Sequence, residues 1–334
     1  MSPERRRKLL VIAGAALAAP HFAFGQAPTR GKPWRIGYLA VRSRPTPASP
    51  DAYYDAFVRG LRELGYVEGK NIVIEWRFAD GRPENLPRLA EELVKLNVDV
   101  LVTHSTPAAQ VVQRATRSIP IVFIAVGNPV ESGLAASLAR PGGNVTGQAN
   151  MTNEVSSKQL ELLKNLMPSL ARVAALVNPV NATGLVIVEN IRAGAQRLGI
   201  RVLQADARSI NEIDEAFVRM SQNQIQAVVV APDSLFIARR TQVAQLALTH
   251  RIASAFAFQE DAAAGGLVSY GPAQTDVYRR GAVYVDRILR GANPGELPIE
   301  QPTVFELAFN ARTAALLNIR IPPTLLTQAD RVID

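Results

Sequence analysis

Residues 98–149 leave this chain few ways to fold. They read VDVLVTHSTPAAQVVQRATRSIPIVFIAVGNPVESGLAASLARPGGNVTGQA. The apolar run 98–103, interrupted only by Asp99, reads as a strand buried on both faces. Ser105, Thr106 and Pro107 follow at once. A hydroxyl residue ahead of a proline marks a helix start, because its oxygen can cap free N–H groups and proline fits the first helical position. The helix expected over 107–117 sets Ala108, Val111, Val112 and Ala115 on one face. A second buried strand is expected over 119–126. It ends at Gly127-Asn128-Pro129, where a second helix is expected to begin. Strand, helix, strand and helix in this order require parallel strands joined by a right-handed crossover. Both polar turns then fall at the carboxyl edge of the sheet, where open parallel sheets bind ligands. Helix N-termini at the same edge favour anionic groups.

The same alternation runs through the rest of the chain. Ahead of the stretch come strands at 34–41 and 71–78 and helices at 52–64 and 84–97. The loop 42–50 between them is rich in Pro and Ser. After it come strands at 172–177, 200–205, 227–231 and 252–258, separated by helices. The segments 144–149 and 265–271 read as strands that cross between two units, with Gly142-Gly143-Asn144-Val145-Thr146-Gly147 forming a turn before the first of them. A helix at 274–290, a Pro-rich stretch at 294–302, a strand at 303–309 and a short helix at 311–317 close the pattern. The fold class expected is α/β, two doubly wound parallel-sheet lobes joined by a hinge of several crossings. Residues 34–144 with 273–300 are assigned to one lobe and 150–264 to the other, while 303–334 is left without a lobe. Two lobes hinged in this way enclose a cleft that closes on a ligand.

Length supports two lobes, since 334 residues with 48% hydrophobic content exceed one ordinary core. Residues 1–25 read as a signal peptide. Arg5-Arg6-Arg7-Lys8 is a charged leader, 9–19 an apolar stretch too short to span a bilayer, and Ala23-Phe24-Gly25 a small-residue cleavage site before Gln26. Paired arginines before Leu9 and Leu10 leave the general and the twin-arginine export routes both open. A soluble mature protein outside the cytoplasm is expected. Of the formal net charge of +8, the leader carries +3 (four cations less Glu4), leaving +5 for the rest. Those charges are interspersed, which marks a solvated surface and not a nucleic-acid patch.

Signs of catalysis are sparse. The chain has no cysteine, and its three histidines, His21, His104 and His250, lack metal-ligand spacing. No nucleophile-elbow, phosphate-loop or zinc-protease motif occurs. His104 reads as a solvated turn residue, and the pairs Glu260-Asp261 and Glu91-Glu92 as surface charges. The cleft offers a clearer pattern. Ser105 and Thr106 end one strand and Asn128 the next. In the second unit Asn178, Asp233 and Gln259 end strands in the same way, and Tyr270 sits at a crossing. Hydroxyls and helix N–H groups can hold a carboxylate, while Asp233 opposite can take a cation, so the set suits a zwitterion such as an amino acid.

Long stretches of the chain resemble a known family. FVRGLRELGYVEGKNIVIEWRFADGR (57–82), TPAA (106–109), IPIVFIAVGNPVESGLAASLARPGGNVTG (119–147), GGLVSYGP (265–272) and AVYVDRILRGANPGELPIEQPTVFELAFNARTAALL (282–317) carry the likeness. It is to the extracytoplasmic solute-binding proteins of ABC transporters similar to the tryptophan/tyrosine-binding protein TrpX, and it spans 34–334. At Asn128 the chain departs from the Asp usual in that family. The resemblance implies a periplasmic-binding-protein-like fold of type I, no cofactor, no enzymatic activity, a monomer, and delivery of a small solute to an inner-membrane permease. A secreted α/β enzyme working in the same cleft is the competing expectation. It would show a reacting pair within hydrogen-bond reach.

Overall fold

The computed structural model describes residues 31–47 and 50–334, so the leader read at 1–25 lies outside the described residues. In chain order the first part contains β1 (Trp34–Ala40), α1 (Ala52–Glu63), β2 (Ile72–Phe78), α2 (Leu86–Lys95), β3 (Val100–His104), α3 (Thr106–Ala115), β4 (Ile121–Gly127) and β5 (Val145–Asn150). These strands form one sheet in the order β2-β1-β3-β4-β5, parallel throughout. Ile36 lies beside Ile74 on one side and Val100 on the other, so β1 and β3 are central. That is why they read as continuous apolar runs.

Helix α1 begins where Asp51 accepts a hydrogen bond from the Tyr53 N–H at 3.0 Å. Its Tyr54 and Phe57 are buried against Tyr38, with ring centroids 5.5 and 5.3 Å away. On the opposite face of the sheet, α2 and α3 cover Leu39, Leu101 and Phe123 with Leu93, Ala108 and Val112.

The second part contains α4 (Thr152–Leu166), β6 (Arg172–Val177), α5 (Ala182–Arg197), β7 (Arg201–Asp206), α6 (Ile210–Gln222), β8 (Ala227–Val230), α7 (Ser234–Ala238), α8 (Arg240–Thr249), β9 (Ala253–Phe256), α9 (Gln259–Ala263) and β10 (Val268–Pro272). After α10 (Gln274–Leu289) come β11 (Phe305–Asn310), α11 (Ala311–Leu316), α12 (Pro323–Leu326) and β12 (Arg331–Ile333). The second sheet runs β12-β11-β10-β9-β8-β6-β7. All its pairs are parallel except β10 with β11.

Helix α10 leaves the second sheet and packs on α1 and β4 of the first. The two helices approach so closely at Gly60 that a Cβ there would stand 2.5 Å from the Arg279 carbonyl oxygen. The chain thus passes between the sheets after β5, after β10, and again between the Gln148–Glu300 bridge and β11.

Two expectations are corrected. The segments 144–149 and 265–271 are not crossing strands: β5 is an edge strand of the first sheet, β10 an inner strand of the second, and the crossings are the short links that follow. No helix follows β4. Residues 128–135 form successive turns, closed by Ser132 N–H to the Asn128 carbonyl (2.9 Å) and Leu134 N–H to that of Pro129 (2.9 Å). Gly133, with φ +73°, turns the chain out of any helix there. The two parallel-sheet lobes are as expected, and the stretch 303–334, left without a lobe, adds its strands to the second sheet, beginning with an antiparallel one.

Candidate ligand-binding site

In a parallel sheet a crevice opens where the strand order reverses, since the chain leaves neighbouring strands in opposite directions. In the first sheet that point lies between β1 and β3, and in the second between β6 and β8. The residues leaving those four strands include Arg42, Ser105 and Thr106 on one side, and Asn178, Asn181 and Asp233 on the other.

The two crevices face each other. Thr106 Oγ1 meets Thr183 Oγ1 across the cleft at 3.1 Å, and the Tyr53 hydroxyl donates to Glu260 Oε2 at 2.8 Å. Gly127 makes room for Thr183: a Cβ on it would lie 2.4 Å from Thr183 Cγ2. The lobes are therefore closed upon one another, around a cavity of about 50 Å³. At that volume the cavity holds only a few water molecules, so the lobes must part to admit anything the size of an amino acid.

The wall from the first lobe is built around Arg42, 8% exposed. Its Nη1 lies 3.1 Å from Asp51 Oδ2, and its Nη2 donates to the Tyr278 hydroxyl at 3.3 Å. The guanidinium carbon stands 5.0 Å from the ring centroids of both Tyr53 and Tyr54, a cation–π geometry. Burial works against the charge on Arg42, but Tyr278, Tyr54 and Asp51 outweigh it and hold the pKa above the ordinary arginine value. Burial pushes the Tyr54 phenol to about 12, against the lowering effect of Arg42.

His104 Nε2 contacts the Tyr54 hydroxyl at 3.2 Å. Burial, helped by Arg42, drives its pKa well below the usual histidine value, so it is neutral at pH 7. Nearby, β4 carries an irregularity between Phe123 and Val126 with Ala125 at φ +54°. Bulges of this kind re-aim side chains beside functional sites. Here Asn150 donates to the Ala125 carbonyl at 3.3 Å and accepts from Gln274 at 3.5 Å, and all three residues line the cavity.

The wall from the second lobe is organised by Asp233. One of its oxygens caps α7 through the Leu235 N–H at 2.9 Å and accepts from Asn178 at 3.3 Å; the other accepts from Asn181 at 2.9 Å. Three of the roughly four acceptor positions of the carboxylate are thus used within the protein. Asn181 in turn caps α5 through the Thr183 N–H at 3.2 Å, which fixes the residue that meets Thr106. Ile237 and Phe258 supply apolar surface. Behind them Asp261 is buried, 3.4 Å from Arg240 Nε, with its pKa raised to about 7 by burial, an effect Arg240 opposes and Glu260 reinforces.

Of the residues singled out in the sequence, Ser105, Thr106 and Asp233 line the cavity. Asn178 does not; it stands behind Asp233, holding it. Asn128 closes the turn after β4 at φ +44° and does not line the cavity. Gln259 opens α9 beside Glu260 without lining it. Tyr270 lies within β10, stacked on Phe305 with centroids 5.8 Å apart.

Ser105 differs from its expected role. It precedes α3 with φ +70° and ψ 151°, and its hydroxyl makes no capping bond. Two further readings are corrected. His104 is a buried terminal residue of β3 and not a solvated turn residue, and Asp261 is buried, not a surface charge. Arg42, Tyr53, Tyr278 and Thr183 went unrecognised. Arg42 had a signal, since it follows β1 at the strand-order reversal; the other three are brought in by helices whose placement needs the tertiary structure. Among the described residues no group of three His, Asp or Glu side chains is placed to hold a metal ion, and no helix is long and apolar enough to cross a membrane.

The cleft belongs to the class of two-lobed binding proteins with the type I periplasmic fold. Residues 46–333 match the family model described as ABC transporter substrate binding protein, and the chain belongs to that family. It is 26% identical over 273 residues to a tyrosine-binding protein of Clostridioides difficile (strain R20291), covering 81% of this chain and 78% of that one. It is similar to the ABC domain in complex with L-Trp from Streptococcus pneumonia, with a TM-score of 0.84 and 26% identity over 90% of this chain and 100% of that one. A conserved domain protein from Vibrio cholerae gives a TM-score of 0.83 at 28% identity, again over 90% and 100% of the two chains.

Proposed function

We infer that this substrate-binding protein captures a small polar or zwitterionic organic solute of the amino-acid type between its lobes, outside the cytoplasm, and delivers it as a monomer to the permease of an ABC importer. The observation that carries this reading is the closed cleft. Hydroxyls, amides and a buried guanidinium line it beside the aromatic rings of Tyr53, Tyr278 and Phe258. A few fixed polar groups set in an apolar surround are the usual composition of a small-molecule site. The relatives described as binding tyrosine and L-Trp favour an amino acid among the solutes such a site would take. The family's description as substrate-binding proteins of ABC transporters supports delivery to a permease. His104 and Ser105 adjoin in sequence, but the Nε2 of His104 is engaged by Tyr54 and not by the serine, so the geometry favours binding over turnover.

Mass spectrometry of small molecules released from gently purified protein tests the reading. A released solute that raises the melting temperature on re-addition is the expected result. A solute at a hundred times its Kd contributes about 2.7 kcal/mol of stability. Thr106→Ala removes the contact with Thr183 that closes the cleft and should then weaken that solute about twofold to tenfold by calorimetry, the equivalent of about 0.5–1.5 kcal/mol for a hydrogen bond between neutral groups. Unchanged affinity in a folded Thr106→Ala protein would place the site elsewhere.

A further inference from the structure

We propose that Arg42 determines the specificity of the cleft by selecting solutes with a free carboxylate, which bridges its guanidinium and the Ser105 hydroxyl. This rests on the reading of the cleft as a solute site and names the chemical class that site takes. Arg42 and Ser105 both line the cavity, and one polar atom of each, Arg42 Nε and Ser105 Oγ, is buried without a hydrogen-bond partner among the described residues. Arg42 is itself 8% exposed, and its two terminal nitrogens are already engaged by Asp51 and Tyr278. Each terminal nitrogen thus has a polar contact, and the Nε–H has none. Buried polar groups are satisfied in the great majority of cases, so each exception calls for an explanation.

The serine is held in a backbone region otherwise kept for glycine, φ +70° and ψ 151°, with its hydroxyl off the helix it precedes. That conformation costs energy and gives up a helix cap, so the orphaned hydroxyl is built into the site.

The two groups define the chemistry of a partner that would satisfy both. An Nε–H only donates, and it belongs to a cation, so its partner is an acceptor and preferably an anion. A planar carboxylate offers one oxygen to Nε–H and one to Ser105 O–H. The N-terminus of the ten-residue helix α3 lies at the same place and adds a dipole of the right sign. An ammonium would meet a like charge, and a neutral polyol would leave the guanidinium edge poorly matched. Asp233 on the opposite wall already accepts three hydrogen bonds, which leaves the first-lobe wall as the side that demands an acceptor.

Titration calorimetry on the purified protein, with L-tyrosine, L-tryptophan and L-leucine, the amide of each, and the neutral polyol myo-inositol, tests the assignment. At least one free acid is expected to bind, at least tenfold more tightly than its amide. Arg42→Lys, which keeps the charge and removes the Nε–H, should weaken the acid about tenfold or more and the amide by less, narrowing the acid-over-amide preference. Asp51→Asn keeps an N-cap residue on α1 and removes the carboxylate that partly neutralises Arg42. It should tighten the acid several-fold, and it guards against a fold defect in the arginine variant.

An amide binding as well as its acid would overturn the assignment, as would an acid whose affinity ignores both substitutions. Binding of myo-inositol alone, unaffected by Arg42→Lys, would overturn the carboxylate class and leave solute capture standing. Binding of no probe would overturn the assignment, and only a failure to recover any released solute would then count against capture itself.

Discussion

Gly127→Ala is expected to weaken solute binding about a hundredfold without unfolding the protein. Gly127 ends β4 at the cleft, and its backbone is not in the left-handed region, so alanine introduces no conformational strain of its own. What it meets is the other lobe. Its Cβ would lie 2.4 Å from Thr183 Cγ2 and 2.9 Å from Thr183 Oγ1. Thr183 is β-branched and tied to Thr106 at 3.1 Å, so it cannot swing away at no cost. Overpacking of this kind costs about 1–3 kcal/mol, and the upper end corresponds to about a hundredfold in affinity.

The clash exists only when the lobes are closed, so the melting temperature without solute should change little. Thr183→Ala removes the two nearest atoms and should restore much of the affinity in the double variant, less what the lost Thr106 contact contributes. Calorimetry on the single and double variants decides the matter. Equal affinity in Gly127→Ala and the unmodified protein would mean that binding does not require this closure.

Asp261→Asn is expected to stabilise the protein at alkaline pH by about 4 kcal/mol and to do nothing at pH 3. Asp261 is 5% exposed and its pKa is raised from 3.8 to about 7, chiefly by burial, with Arg240 opposing and Glu260 adding to the rise. The folded state therefore holds a proton that the unfolded state has lost between those two values. Stability contributed by the neutral form is fully present below pH 3.8 and is lost as pH rises through about 7. A difference of about 3 units is worth about 4 kcal/mol at 1.36 kcal/mol per unit. Asparagine is neutral throughout, so its advantage should grow from about pH 4 and level off above pH 7. Denaturant unfolding of both proteins across that range measures it. A stability difference independent of pH would mean that Asp261 titrates alike in the folded and unfolded protein, and that burial does not raise its pKa.

Much of this architecture was legible in the residues because central parallel strands are buried on both faces. Runs such as Ile121–Gly127 leave little choice of structure, and Asp51 marks the start of α1 by side-chain chemistry alone. The carboxyl-edge rule led from there to Ser105, Thr106 and Asp233.

What escaped depends on distant parts of the chain. Val145–Asn150 looks like a link until β4 lies beside it, and the turns at 128–135 carry residues that would also suit a helix start. Tyr278 reaches the cleft only because α10 returns to the first sheet 236 positions after Arg42. His104 looked solvated because a polar residue at a strand end often is, and Asp261 because adjacent carboxylates diverge; the aromatic cluster around Tyr54 and Tyr278 covers the first, and the packing of α9 within the second lobe buries the second. Tyr270 pointed the wrong way because strand alternation fixes side only once the partner strands are known, and β11 sets its ring against Phe305.

Capture between the lobes is tested most directly by a distance measurement across the cleft. The chain contains no cysteine, so Val130→Cys and Val180→Cys, on the loops after β4 and β6, give two unique labelling sites. Both residues are exposed, at 43% and 72%. Double electron–electron resonance between spin labels at these positions reports the inter-lobe separation with and without the solute recovered from the protein. The expected result is a broad or longer distribution without solute that collapses to a single shorter distance at saturation, and fails to do so in Gly127→Ala. A distribution that saturating solute leaves unchanged would contradict capture by closure of this cleft.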